Sequence, residues 1–179
     1  MNISTLVEQI KATHKSKPLS DADIKSLFQQ SKQFGFILPP SYLVFLYEFG
    51  NGDLTNLGSY QIFGQDIDAP VIVGDAPAIV GEFSIGNPKA PDPVPLDGGS
   101  SVPKRSLFCL MTEDSNGGAW CWLTSEPDAE GEYALAYYEP CEKRLFYRVP
   151  NFTTWLDILV RDKQEVIRSL DVDEKLGLG

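Results

Sequence analysis

One stretch of sixteen residues limits the fold of this chain more than any other: Leu38-Pro39-Pro40-Ser41-Tyr42-Leu43-Val44-Phe45-Leu46-Tyr47-Glu48-Phe49-Gly50-Asn51-Gly52-Asp53. It carries a start signal, an apolar face and a stop signal. Proline is tolerated at a helix entrance, where its missing N–H has no helical partner to lose and its fixed φ is already helical, so Pro39 and Pro40 mark a start. Tyr42, Phe45, Leu46 and Phe49 then recur at i, i+3, i+4 and i+7, the spacing of one helical face, while Glu48 can point to water. Gly50 supplies the left-handed position at which helices end, and Asn51-Gly52 prolongs the turn. Read for structure alone, this is a short core helix with two firm boundaries.

The flanking sequence divides by period. Thr5-x-x-Glu8 reads as a capping box opening a first helix along Ile3, Val7, Ile10 and His14. Ser20 caps a second, with Asp21 and Asp23 in its first turn, Ile24, Leu27 and Phe28 on its apolar face and Gly35 at its end. The second and third helices follow closely enough in sequence to be neighbours in space. After Asp53 strands take over: Tyr60 to Phe63, Val71 to Val73 and Ala78 to Val80. From Ser84 to Ser106, five prolines and three glycines predict a long excursion from the fold, read as a mobile insertion or a partner-contacting arm. Leu107 to Met111 and Ala119 to Leu123 flank Asn116-Gly117-Gly118, the strongest hairpin signal present. Both runs are apolar on either side, which predicts central strands covered on both faces. A second hairpin spans Glu132 to Glu139 and Lys143 to Val149, turning near Pro140 to Glu142. Asn151 then caps a terminal helix whose face runs Phe152, Trp155, Leu156, Leu159, Val160, Lys163, Val166, Ile167 and Leu170. The predicted architecture is a single α+β domain over residues 1–179, with N-terminal helices, a mostly antiparallel sheet and a C-terminal helix packed on that sheet.

The order of residues around the third helix is distinctive. Leu38-Pro39-Pro40-Ser41-Tyr42, then Phe45-Leu46, then Asn51-Gly52-Asp53 resembles the signature of the SUKH superfamily, in which Leu-Pro, an aromatic residue, Phe-Leu and Asn-Gly-Gly follow one another. Asp53 stands where glycine is commoner. The hairpin from residue 107 and the helix after Asn151-Phe152 are similar to elements at the same places in that family, which extends the likeness over most of the chain. The superfamily includes a fungal regulator of cell-wall synthesis and many bacterial immunity proteins that neutralise toxins. The resemblance implies a non-enzymatic module that acts by binding another protein.

Charge bears on the kind of partner. The net charge of −10 and a pI of about 4.5 argue against a nucleic-acid ligand, whose phosphates call for clustered Lys and Arg. The acidity is concentrated: residues 51–150 carry six basic and fifteen acidic side chains, whereas residues 1–50 carry five and four. No Lys or Arg occurs at positions 33–88 or 106–142. Solubility alone accounts for a surplus of this size as well as a binding face does. If it is a face, it favours a basic protein, and nuclease toxins are basic because they hold phosphates. The candidate contact residues, chosen because they crowd the two stretches free of Lys and Arg, are Asp66, Asp68, Glu113, Asp114, Asp128, Glu130 and Glu132.

Enzymatic signals are sparse. No phosphate-binding loop, zinc-protease helix, nucleophile elbow or dinucleotide fingerprint is present. One histidine, His14, would have to serve any Ser-His or Cys-His pair, and its place near the end of a surface helix fits a structural role better. Cys109, Cys121 and Cys141 form no C-x-x-C pair, so neither a zinc site nor another metal or cofactor is expected. An odd cysteine count without a basic-then-apolar leader predicts reduced thiols in a cytoplasmic protein, and no apolar run reaches the ~20 residues that span a bilayer. Asn151-x-Thr153 reads as a cap rather than a glycosylation site, and Asp171-x-Asp173-Glu174 as a solvated tail. Three readings follow: an immunity protein bound to a basic toxin domain, a regulator or scaffold bound to a cellular protein, and a hydrolase using two carboxylates. The first takes precedence because the resemblance and the charge agree.

Overall fold

The computed structural model describes residues 1–33, 35–52, 60–62, 65–67, 81–82, 87–109 and 118–160. Helix α1 spans Ile3–Lys11, α2 Asp21–Gln33, α3 Pro40–Glu48 and α4 Phe152–Val160. The two-residue strands β1 (Ser16–Lys17) and β2 (Asn51–Gly52) pair antiparallel, as do β3 (Tyr60–Ile62) and β4 (Gln65–Ile67). The main sheet contains β5 (Gly81–Glu82), β6 (Val94–Leu96), β7 (Ser100–Val102), β8 (Leu107–Cys109), β9 (Ala119–Leu123), β10 (Leu135–Glu139) and β11 (Arg144–Val149). Its order is β5-β8-β9-β10-β11-β6-β7, antiparallel except between β11 and β6. This is an α+β fold with the C-terminal helix packed on a curled, mostly antiparallel sheet.

Helix α3 sits among the other three, in contact with α1, α2 and α4. Tyr42, Phe45, Leu46 and Phe49 are all wholly buried, which makes the predicted apolar face the actual one. Each such side chain contributes about 2 kcal/mol when removed from water. The end of α3 depends on Gly50. Its φ of +73° is left-handed, and a Cβ there would lie 2.1 Å from the Lys17 carbonyl oxygen. That proximity lets the Lys17 amide donate to the Phe49 carbonyl at 3.0 Å and the Leu19 amide to the Leu46 carbonyl at 3.1 Å. The α1–α2 connection is thereby fastened to the last turn of α3.

Three caps were readable from local sequence and one was not. Ser20 Oγ accepts from the Asp23 amide and donates to the Asp23 carboxylate, α2 ends at Gly35 with the Phe36 amide reaching back to the Ser31 carbonyl, and Asn151 Oδ1 accepts from the Thr154 amide. At α1, Asn2 and not Thr5 is the cap. Both the amide and the hydroxyl of Thr5 donate to Asn2 Oδ1, at 2.9 Å, and Glu8 pairs with Lys11. An Asn side chain fills the cap as well as Thr does, so the helix starts one turn earlier.

The two faces of the sheet alternate residue by residue. Phe108, Trp120, Trp122, Leu135, Tyr137 and Phe146 point into the cluster that holds the helices, while Leu107, Cys109, Ala119, Cys121, Leu123, Ala134, Ala136, Tyr138 and Leu145 fill a second buried cluster. The strands are thus covered on both faces, as their composition predicts. A bulge in β11 breaks the alternation once. Between the pairs Tyr137↔Phe146 and Leu135↔Val149, β11 carries one residue more than β10, and Tyr147 takes a left-handed φ of +55°. The extra residue turns both Phe146 and Tyr147 toward the helices, their ring centroids 6.1 Å apart.

The expectation for residues 84–106 needs correction. Residues 94–102 of the Pro-rich stretch belong to the sheet: β6 and β7 form a hairpin with Val94↔Val102, Pro95↔Ser101 and Leu96↔Ser100 in register, and β6 adds to the edge of β11 through Leu96↔Leu145. Proline within β6 removes one donor but leaves its alternation intact, with Val94 and Leu96 buried and Pro95 half-buried between them. Three anchors hold the hairpin. The Asp97 amide donates to the Leu145 carbonyl at 2.9 Å, Asp97 pairs with Arg144 at 3.7 Å, and Lys104 Nζ donates to the carbonyls of Pro88 and Ala90. The predicted strands at 71–73 and 78–80, the Asn116-Gly117 turn residues and the part of the terminal helix beyond Val160 lie outside the described residues.

Candidate functional site

Four acidic residues, Glu126, Asp128, Glu130 and Glu132, lie in the loop 124–134 between β9 and β10. Asp128 organises it. Its Oδ1 accepts from the amides of Glu130 at 2.9 Å and Glu132 at 2.8 Å, its own amide donates to the Glu132 carbonyl at 2.8 Å, and its carbonyl accepts from Gly131 at 3.1 Å. An Asp that folds its own backbone this way makes a compact turn without apolar support.

That turn is seated on α3. The carboxylate of Glu132 accepts from the amide and the hydroxyl of Ser41, both at 2.7 Å, and the Ile37 amide donates to Tyr133 Oη at 3.3 Å. Pro39, in the N-cap position, makes no side-chain cap bond, and Ser41 is the first residue of α3 with an amide to satisfy. Glu132 therefore supplies, from ninety-one positions away, the negative group that a helix N-terminus favours. Tyr133 is buried against Phe36, and the loop closes over the start of α3.

The seven sequence candidates separate. Asp128 shapes the loop and Glu132 anchors it, while Glu130 is exposed. Asp66 lies in β4 with Gln61 as its strand partner. Asp68, Glu113 and Asp114 lie outside the described residues. Two residues escaped the sequence reading. Glu126 is exposed on the same loop, in the same stretch free of Lys and Arg that pointed to Asp128. Ile37 is 56% exposed beside Tyr133, an apolar residue at the foot of the acidic loop. Its position just before Leu38-Pro39 was the available signal, but a lone exposed Ile is ordinary.

His14 is half-buried with Nδ1 2.8 Å from Thr13 Oγ1. The Glu139 charge, together with desolvation, a hydrogen bond to Glu139 and the Glu142 charge, pushes the exposed Cys141 thiol above its ordinary value. A thiol shifted upward is less nucleophilic at neutral pH. No group of three or more His, Cys, Asp or Glu side chains that could hold a metal ion occurs among the described residues, nor does any described helix have the length and apolarity to cross a membrane. No family model, curated protein or solved structure matches this chain.

Proposed function

We propose that this chain is a protein-binding module of the SUKH type, an immunity protein that neutralises a basic toxin domain by covering it, and acts in the cytoplasm. The observation that carries the reading is the fixed acidic loop: Glu126, Asp128 and Glu130 are exposed on a turn whose backbone is held by Asp128 and whose base is bonded to α3 through Glu132. Charges held in place before contact cost less ordering on association, and a surface of one sign speeds encounter with a partner of the other. Ile37 offers an apolar contact beside them. The likeness of residues 38–53 to the SUKH signature supplies the class of partner.

The test is capture of partners from lysate of the cells that make this protein, washed at low and at high salt, with mass spectrometry of what is retained. A basic toxin domain that stays at low salt and leaves at high salt supports the reading. Recovery of cell-wall or signalling proteins alone would replace it with the regulator. With the toxin domain in hand, changing Glu126 and Glu130 to Gln together should slow association at low salt about tenfold and leave the rate at high salt nearly unchanged. Equal rates at low salt would remove the loop from the interface.

A further inference from the structure

Cys109 and Cys121 are directly opposed. They are Cα partners in the antiparallel β8–β9 register, and both belong to the buried cluster on the face away from the helices. Both are thiols. Opposed residues of an antiparallel pair have Cα atoms about 4.5 Å or about 5.5 Å apart according to the hydrogen-bond pattern. Either spacing falls inside the window of roughly 4.4–6.8 Å that a disulfide needs. Their side chains leave the sheet on the same side, so neither strand has to turn over. The strand pair is also one that a link would strengthen: β8 has three residues and is flanked on its other side by the two-residue β5.

We propose that Cys109 and Cys121 form a reversible cross-strand disulfide, a redox latch that staples β8 to β9, with a small-molecule disulfide of the glutathione class as oxidant. Cys109 is 9% exposed and Cys121 wholly buried, which makes Cys109 the entry point. Its thiol gives up a proton, the thiolate attacks one sulfur of the small disulfide, and that S–S bond breaks; the departing half takes up the proton. Cys121, deprotonated in turn, attacks Cys109 Sγ and expels the second half as a thiol. Two protein thiols are oxidised by two electrons and one small disulfide is reduced to two thiols. Cys141 is exposed at the β10–β11 turn, outside the buried cluster that holds the pair.

The full-length Cys141→Ser protein, equilibrated in glutathione buffers from reducing to oxidising and then acid-quenched, tests the latch by intact mass and peptide mapping. The expected result is a loss of about two mass units, a peptide containing Cys109 joined to one containing Cys121, and slower amide exchange in β8 and β9. Retention of two alkylatable thiols at the oxidising end, or a stable glutathione adduct on either cysteine, overturns the proposal. The double variants Cys109→Ala/Cys141→Ser and Cys121→Ala/Cys141→Ser each keep a single cysteine and are expected to show no such loss. An unchanged loss of two mass units in either one would assign it to other chemistry and overturn the proposal too.

Discussion

The two faces of the main sheet are made by the same strands, one residue out of step, yet they are built from different materials. Toward the helices stand Phe108, Trp120, Trp122, Tyr137, Phe146 and Tyr147; on the opposite side Cys109, Ala119, Cys121, Ala134 and Ala136 stand among Leu107, Leu123, Leu145 and a single ring, Tyr138, joined by Val94, Leu96 and Val102 from the β6–β7 hairpin. The large rings interlock with α3 and α4: Tyr42 meets Trp122 edge-on at 4.8 Å and Phe152 at 5.1 Å, and Trp155 meets Trp120 at 6.0 Å. The β6–β7 hairpin, which extends the same sheet beyond β11, contributes to the cluster on the side away from the helices. Aromatic rings are thus concentrated on the side of the sheet that faces the helices.

Truncating a ring should cost far more than truncating its neighbour. Trp122→Ala removes a fully buried indole and should lower stability by about 4 kcal/mol in chemical denaturation, against less than about 1 kcal/mol for Cys121→Ala next to it. Similar losses would erase the contrast. The helical layer also depends on its cap. Glu132→Ala strands the amide and hydroxyl of the buried Ser41 and should cost about 2 kcal/mol, with Glu132→Gln recovering part of it. Enlargement probes the side away from the helices. Ala136→Leu, at a position with no exposure and opposite Cys121, should cost about 1–2 kcal/mol through overpacking, and a neutral result would reveal unfilled space there.

The smallest effect runs the other way. Tyr42 Oη is buried with no hydrogen-bond partner among the described residues, so Tyr42→Phe should raise stability by about 1 kcal/mol. Burial also pushes the Tyr42 phenol well above its ordinary value near ~10. Above that pH the unfolded chain gives up a proton that the folded chain keeps, and stability declines as pH rises. Below it the contribution is constant. The gap between the denaturation midpoints of the two proteins should hold steady from pH 8 upward and widen only at the alkaline end, toward pH 11.

What could be read from sequence was whatever neighbouring residues decide together. The start and face of α3, the ending at Gly50, the cap at Asn151 and the alternation of Trp120-Cys121-Trp122 each rest on residues a few positions apart. Prolines concealed β6: at Pro95 they suppress the hydrogen-bonding signal of a strand while leaving its side-chain pattern intact, and the anchors at Arg144 and Lys104 are distant in sequence. The bulge at Tyr147 had no glycine to announce it. The acidic loop was legible as charge and illegible as structure. Nothing local to Glu132 says that its carboxylate meets Ser41, and nothing local to Asp128 distinguishes a residue that shapes a turn from one that greets a partner.

The bond between Glu132 and Ser41 also sets an order in time. Ribosomes make the chain from its N-terminus, so α3 is complete long before the residue that caps it exists, and the two meet only after ninety-one further residues have been added. Contacts so far apart in sequence close slowly, because a long loop must be ordered before it is rewarded. Until then the α3 entrance relies on Pro39 and Pro40, which bring no amides of their own, while the Ser41 amide turns to water. The double proline keeps the nascent helix serviceable while its true cap is still being synthesised.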